Sequence, residues 1–453
     1  MTIYASLAVT ARRTATPGLV ACGLALATAS AQQAAAQPAP NSPVQTTPSV
    51  QTGMPANPST VPDEKPWVAP KNFSEWSSTI KLTGQIEGGI VGNPQAPRNS
   101  INYGQLFTDK ANHPILNQLL LTAERATDPK ATDYDFGFKL QALYGSDARI
   151  VHSLGVFDHA IHDRNQFDIV EANITAHTPW LFEGGIDFKG GIYPTPLGFE
   201  VIDPKTNPFY SHSYIYNYGL PFKHFGILST AHVTGVLDLY LGLDTGTNTT
   251  IGDGDNNRRP GGIFGFGLNL LGGNLTVLAL SHVGPENAKR NTTFANDAMR
   301  FYNDLVVTYK YSDKLAFTTE LNYVKEDGFR AEGYGAAQYV AYTLSDEVTL
   351  NARAEIWRDN TNFFVNTPVN NLDFVNAERG YSPANFYVAQ RPTTYSAITL
   401  GASYKPAGLP SVISGLMLRP ELRYDRALNN SRPFDDGRDK GSVTISADAV
   451  LTF

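Results

Sequence analysis

The chain has 453 residues, a formal net charge of −7 at pH 7 and 17% charged residues, while glycine (39), tyrosine (22) and phenylalanine (24) are abundant. The negative charge argues against a nucleic-acid partner, whose phosphates need a basic face. A single cysteine excludes an intramolecular disulfide and a thiolate metal cluster. Beyond the N-terminus no apolar run approaches the roughly 18 residues of a transmembrane helix, so the composition favours sheets.

The first 31 residues have the pattern of a secretory signal peptide. Arg12 and Arg13 precede the short apolar core 19–29, and a small-residue cleavage site ends at Ala31. Residues 34–36 offer an alternative cleavage site. The pattern predicts that the chain leaves the cytoplasm.

Residues 32–76 form a segment rich in proline, glutamine and alanine, with almost no large apolar residue before Trp67. Such a segment buries too little apolar surface to offset the entropy lost on ordering. We therefore predict a disordered, extended linker, which is either a simple tail or a tether.

From residue 77 onward, apolar and polar residues alternate with a period of two, which is typical of half-buried strands. In one example, Leu237, Leu239, Leu241 and Leu243 alternate with Asp238, Tyr240 and Gly242. The pattern predicts sixteen strands, at 77–91, 115–124, 134–145, 167–177, 184–193, 223–233, 235–244, 261–271, 274–283, 300–311, 314–325, 333–344, 347–358, 394–405, 415–426 and 442–453.

The connections between these strands alternate between short and long. This asymmetry is typical of outer-membrane barrels, which have short periplasmic turns and long extracellular loops. Backbone groups that are unpaired in hydrocarbon cost several kcal/mol each, so a sheet in a membrane must close on itself. The predicted fold is all-β: a transmembrane up-and-down antiparallel β-barrel of about 16 strands over residues 77–453, in the bacterial outer membrane.

The chain ends on an alternating strand whose last residue is Phe453. A last strand must pair with the first to close the barrel, and this one resembles the C-terminal signal that outer-membrane barrels present to their assembly machinery. Phe453 is therefore predicted as an assembly signal. Tyr311, Tyr323, Tyr342, Tyr404 and Tyr424 share the lipid-facing parity near strand ends, as an aromatic girdle would.

Pro420 is an exception to the predicted strand pattern. It lacks the N–H that a closed ladder requires, so we expect a local bulge or a shifted strand boundary there.

Residues 190–226 contain a distinctive motif: Thr195-Pro196-Leu197-Gly198 and Glu200, then Asn207-Pro208-Phe209-Tyr210-Ser211, and finally Pro221 and His224 before Gly226. This stretch resembles the outer-membrane β-barrel porin family of OmpL-like proteins. The resemblance covers residues 75–453 and implies an outer-membrane channel, without catalytic residues.

The proline-rich loop 194–222 is the candidate pore constriction. We expect it to fold inward and to place Glu200 and Asp203 in the lumen; the alternative is an ordinary external loop. Arg353, Arg419 and Arg423 share the inward parity and are predicted to form a basic wall, partly neutralised by Glu355 and Glu421. A transverse field would then orient solutes, unless the arginines are locked in salt bridges within the wall.

The predicted lumen carries more acids than bases, which predicts a weak cation preference. The acids are Glu87, Glu124, Asp135, Glu171, Asp187, Asp238, Asp304, Glu320, Glu355, Glu421, Asp425 and Asp448, and the bases are Lys81, Lys139, Lys189, Lys310, Arg353, Arg419 and Arg423. The leading hypothesis is passive diffusion of small hydrophilic solutes. The alternative is a structural or export-associated barrel.

Two other chemistries find little support in the sequence. Ser211, His212 and Ser213 are the only nucleophile-and-base cluster, and spacing identifies no acid beside them, so we do not predict an enzyme. Asp253, Asp255 and Asn257 lack the glycine and distal glutamate of a calcium loop, and His159 and His162 lack a third ligand. We predict neither a metal site nor a cofactor. The expected partners are membrane lipid, the assembly machinery and solutes, with a homo-oligomer left open.

Overall fold

The computed structural model describes residues 68–128, 131–158, 162–290 and 297–453. The predicted signal peptide, most of the predicted linker and His159 lie outside these residues. A short helix, α1 (Phe73–Ser78), precedes the first strand, and the Asn72 side chain caps it by accepting the Glu75 N–H. Among the described residues, no helix is both long and apolar enough to span a membrane.

Sixteen antiparallel strands close into one barrel, in which each barrel strand pairs with the barrel strands before and after it in the chain and the last pairs with the first. This confirms the predicted fold. The barrel strands are β1 (Lys81–Gly92), β2 (Pro114–Arg125), β3 (Asp135–Gly145), β4 (Gln166–Thr178), β5 (Ile186–Pro194), β6 (Lys223–His232), β7 (Leu237–Thr247), β8 (Gly261–Leu270), β9 (Leu275–Pro285), β10 (Met299–Lys310), β11 (Leu315–Glu326), β12 (Ala331–Thr343), β13 (Val348–Asp359), β16 (Thr393–Tyr404), β17 (Gly415–Ala427) and β18 (Gly441–Thr452).

The connection between β13 and β16 has secondary structure of its own. It contains β14 (Asn366–Pro368), α2 (Asp373–Arg379) and β15 (Phe386–Val388), and the two strands pair as a separate sheet. None of these elements is predicted from the sequence, because each is too short to show a period.

The two ends of the barrel differ as expected, with one exception. Connections at one end are short, such as 233–236 between β6 and β7, and we call this the short-turn end. The other, the long-loop end, carries 195–222 and 360–392, but its β11–β12 connection is only 327–330.

The alternation places polar side chains inside the barrel and apolar ones outside. On β7 the side chain of Leu241 is 65% exposed, whereas Asp238 is 3% exposed. The tyrosines of the predicted girdle are exposed too, as is Phe453. Because the exposed face is apolar, it suits lipid.

Pro420 does not form the expected bulge. The β16–β17 pairing runs to Gly401↔Glu421 and resumes at Tyr404↔Leu418 in the same register. The ladder therefore lapses beside the proline without an inserted residue. On its other side Pro420 still pairs with Ala447 of β18.

Candidate functional site

The loop 194–222 folds back against the inward face of the barrel. Most of its hydrophobic residues belong to the buried core, among them Leu197, Ile202, Phe209 and Tyr214. Gly198 adopts a left-handed conformation (φ +91°), and a Cβ there would lie 2.2 Å from the Leu220 side chain. Glycine therefore permits the turn that brings the two ends of the loop together.

Two local turns shape the middle of this loop. Asp203 accepts the Lys205 N–H and caps a 3₁₀ turn at Pro204–Thr206, where proline supplies the fixed φ of a first helical position. A π-helical turn follows at Ile215–Gly219, and its residues are all buried.

Glu200 lies at the centre of a buried polar network. Its carboxylate accepts hydrogen bonds from Arg353 Nη1 at 2.7 Å, the Tyr339 hydroxyl at 2.9 Å and the Ser213 N–H at 3.1 Å. His212 Nδ1 lies 2.8 Å away. Burial alone would raise the pKa of Glu200, but the Arg353 guanidinium and the hydrogen bonds from His212 and Ser213 outweigh it, and the pKa falls to about 2.

The three predicted lumen arginines bind the same loop. Arg353 donates to the Ser211 carbonyl at 2.9 Å, and Arg423 donates to the His212 carbonyl at 3.0 Å. Arg419 donates to two loop carbonyls, those of Pro204 and Asn207, both at 2.8 Å.

Each arginine is also paired with carboxylates of the barrel wall. Arg353 and Arg423 share Glu355, at 3.2 and 3.1 Å, and Arg423 forms two further bonds to Asp425. Arg419 contacts Asp448 at 2.6 Å and Glu87 at 2.9 Å. The guanidinium groups are therefore paired on the wall side and bonded to the loop on the other.

The predicted acids Glu355 and Glu421 bind the backbone of the loop. Glu355 accepts the Tyr214 N–H at 2.6 Å, and Glu421 accepts the Tyr210 N–H at 2.9 Å. Asp203 lies at the edge of this network, where it accepts a hydrogen bond from Gln85 Nε2 at 3.1 Å.

A cavity of about 440 Å³ remains between this loop and the inward face of β2–β7. It is lined by more acids than bases. The acids are Glu124, Glu171, Asp187 and Asp203, and the bases are Arg125, Lys139 and Lys189.

A family model described as "Putative beta-barrel porin-2, OmpL-like" matches residues 79–453. The chain belongs to this family. The match confirms the resemblance found at residues 190–226, and it supports a location in the bacterial outer membrane. A comparison with curated proteins found no match.

Solved structures of outer-membrane proteins share the fold of this porin-family barrel. It is similar to the outer membrane channel DcaP of Acinetobacter baumannii, with 12% identity, 83% of this chain and 97% of that chain covered, and a TM-score of 0.50. It is also similar to OprB of Pseudomonas putida, with 14% identity, 83% and 95% covered, and a TM-score of 0.50.

The long-loop end of this porin-family barrel is filled by aromatic side chains that the sequence patterns did not predict. The hydroxyls of Tyr103 and Tyr395 share a hydrogen bond of 2.9 Å. The Tyr214 ring stacks on the Tyr395 ring, with centroids 5.2 Å apart. Phe107 packs edge-on against His212. These contacts join residues that are far apart in the chain, so no local pattern could have shown them.

The cluster Ser211, His212 and Ser213 does not assemble as a nucleophile and base. The Ser211 hydroxyl accepts from Arg353 Nη2 at 3.1 Å, and the Ser213 hydroxyl accepts the Tyr216 N–H at 3.0 Å. An acid does lie beside His212, but it is Glu200, which Arg353 also binds.

Of the weak metal candidates of the sequence, the structure describes Asp253, Asp255, Asn257 and His162. Asp255 accepts the backbone N–H groups of Asn257 and Arg258, and Asn257 donates to the Pro285 carbonyl, so these side chains hold a turn. His162 is exposed.

Phe453 closes the barrel. Its backbone exchanges two hydrogen bonds with Gly84 of β1, at 2.8 and 2.9 Å. A Cβ at Gly84 would lie 2.2 Å from the Phe453 ring, so glycine leaves the space that the ring occupies. The role of Phe453 as an assembly signal stays a prediction.

Proposed function

We propose that the chain forms a channel for passive diffusion of small hydrophilic solutes, that loop 194–222 is its constriction, and that the channel weakly prefers cations. The family match and the closed 16-stranded barrel support the porin architecture. The observation that carries the constriction is the attachment of the loop to the inner wall through Arg353, Arg419 and Arg423.

The attachment has the chemistry of a fixed constriction. Arginine offers several donors in a rigid fork, so one side chain can bind a wall carboxylate and a loop carbonyl at once. Because these groups are buried, screening by salt is weak. We therefore expect one narrow conducting state and no exchange of the loop with the exterior.

The proposed cation preference rests on the carboxylates that line the remaining space. The arginines are neutralised by wall carboxylates and by Glu200, whereas the cavity beside the loop has four acids and three bases. Rings of carboxylates favour cations in channels.

One observation favours the second candidate, a structural or export-associated barrel. The aromatic packing of Tyr103, Phe107, Tyr214 and Tyr395 narrows the long-loop end. A barrel that this packing seals would not conduct.

Planar-bilayer recording of the purified protein tests the proposal. We expect stable ohmic current steps of low conductance. In asymmetric KCl, the reversal potential should shift from zero towards the equilibrium potential of potassium. A chloride-selective reversal potential would contradict the cation preference. Absence of ionic current through a folded barrel that has inserted into the bilayer would favour the structural role. Membrane lipid, the assembly machinery and a homo-oligomer stay predictions.

A further inference from the structure

Two histidines and an aspartate meet inside the barrel near the long-loop end, outside the arginine network. His224 lies at the start of β6, Asp244 near the end of β7 and His282 near the end of β9. All three side chains are fully buried. One nitrogen or oxygen from each residue lies within 4.8 Å of the others.

Each imidazole in this cluster faces its own carboxylate oxygen of Asp244, at a distance near that between two ligands of one metal ion. His282 Nε2 lies 3.0 Å from Asp244 Oδ1, and His224 Nδ1 lies 3.4 Å from Asp244 Oδ2. A tetrahedral ion with bonds of about 2.1 Å separates neighbouring ligand atoms by about 3.4 Å.

Two of these atoms are buried without a hydrogen bond. Among the residues that the structure describes, neither His224 Nδ1 nor Asp244 Oδ2 has a hydrogen-bond partner. A buried polar atom without a partner is costly, and a metal ion would satisfy both atoms at once.

The far nitrogens of both imidazoles face oxygens. His224 Nε2 lies within hydrogen-bond distance of the Thr195 hydroxyl, at 3.1 Å, whereas His282 Nδ1 lies 3.6 Å from Glu286 Oε1, which is an ion-pair distance without a hydrogen bond. Metal-bound histidines commonly donate their other ring N–H to such an oxygen, which fixes the tautomer and the ring orientation.

The backbone leaves room for the three side chains to meet. Gly261 of β8 lies between β7 and β9, and a Cβ there would lie 2.6 Å from Asp244 Oδ1 and 2.8 Å from His282 Nε2. The β6–β7 register shifts between His224 and Gly226, opposite Gly246 (φ +109°), whose N–H binds Asp244 Oδ1. Bulges of this kind re-aim side chains beside functional sites.

We propose that His224, Asp244 and His282 bind one divalent transition-metal ion of the Zn²⁺ class, with Thr195 and Glu286 orienting the two imidazoles. Imidazole with carboxylate suits zinc and its neighbours in the first transition row, whereas calcium and magnesium prefer oxygen ligands. The neighbouring cations Lys223 and Arg300 pair with other carboxylates, Asp168 and Glu326. The charge of Asp244 is thus available to balance the ion.

The bound ion would hold both ends of loop 194–222. Thr195 follows the last residue of β5, and His224 is the second residue of β6. An ion that fixes the His224 ring therefore also fixes the points where the loop leaves and rejoins the barrel wall.

Titration of the chelator-treated, detergent-folded protein with Co²⁺ tests this site, because tetrahedral Co²⁺ gives strong visible absorption bands. We expect one Co²⁺ per chain, displaced by one Zn²⁺. His282→Gln and Asp244→Asn should abolish stoichiometric binding. Glu286→Gln and Thr195→Val should weaken it by about 10–100-fold.

Two further variants separate metal binding from mere structural damage. Gly261→Ala removes no ligand but fills the space between Asp244 and His282, so it should weaken binding while the barrel still folds. His177→Gln is the matched control: His177 is another buried wall histidine, 2.7 Å from Asp187, and its loss should leave binding unchanged. Heat-modifiable gel mobility reports folding for every variant.

Absence of Co²⁺ bands in folded wild type would overturn the proposal and assign the cluster to ion pairs between Asp244 and the imidazoles. Equal loss of binding in His177→Gln and His282→Gln would overturn it too. Metal binding in detergent is independent of conductance, so failure of this inference and failure of the channel proposal are distinguishable.

Discussion

At the scale of single residues, the pair Glu200–Arg353 is one of the contacts that hold the loop against the barrel wall. The two side chains are buried, and each makes several further hydrogen bonds. Removing one member of a buried ion pair is costly because the other charge is left without its partner. If Glu200 is replaced, Arg353 still has Glu355 as an ion-pair partner at 3.2 Å, so only part of the stabilisation of its charge is lost.

Glu200→Gln should loosen the loop and increase open-channel current noise at pH 7. Losing one charge-assisted bond lowers the free energy that holds the loop by about 1.5–3 kcal/mol. Single-channel recording measures the noise. Glu183→Gln, in an exposed turn, is the control and should behave as wild type.

The same pair sets a pH window. The pKa of Glu200 falls from its usual 4.5 to about 2, so its contribution is complete above pH 4.5 and is lost as the pH falls through 2. Wild-type noise should therefore rise towards that of Glu200→Gln between pH 4.5 and 2. Noise that is equal in both proteins at pH 7 would contradict this role for Glu200.

The alternation of inward and outward positions along the strands predicted the barrel-wall part of the network around the three arginines. Arg353, Arg419 and Arg423 follow inward positions of alternating strands, so their side of the pore was predictable. Glu355, the wall partner of Arg353 and Arg423, was predicted too, because it shares their parity. The bonds to Glu200 and to the loop carbonyls were not, because Glu200 lies 153 residues from Arg353 and the loop has no period. The acid beside His212 was missed for the same reason.

At the scale of elements, each strand encodes its own two faces. All sixteen barrel strands coincide with predicted ones to within a few residues, because alternation is a local signal. The alternation gives no prediction for α2 and its flanking strands β14 and β15, because they are too short to show a period. It also cannot predict the gap in the β16–β17 pairing beside Pro420, because that gap depends on the neighbouring strand.

Leu241→Arg should destabilise the barrel by about 2–4 kcal/mol, because it places a charge against lipid near the middle of β7. Leu237→Arg, at the same parity but at the short-turn end, should cost only about 0–1 kcal/mol. Denaturant unfolding in lipid vesicles measures both free energies. Equal effects of the two substitutions would show that depth in the membrane does not govern this face.

At the scale of the whole molecule, closure and filling have different origins. Closure follows from the first and last strands: β1 pairs with β18, and Phe453 bonds to Gly84. Backbone satisfaction in lipid requires this pairing, so the sequence could predict it. The inward fold of loop 194–222 was expected from the sequence, but its contacts with the wall and the aromatic packing at the long-loop end join residues far apart in the chain, so they could be read only from the structure.

The most direct test of the account compares single-channel conductance in wild type with that of a variant in which residues 199–219 are replaced by a short glycine-serine linker. We expect low, stable conductance for the wild-type barrel and several-fold larger steps for the variant, because the proposed constriction would be lost with the loop and its arginine contacts. Equal conductance of two folded barrels, or silence of both, would contradict the account.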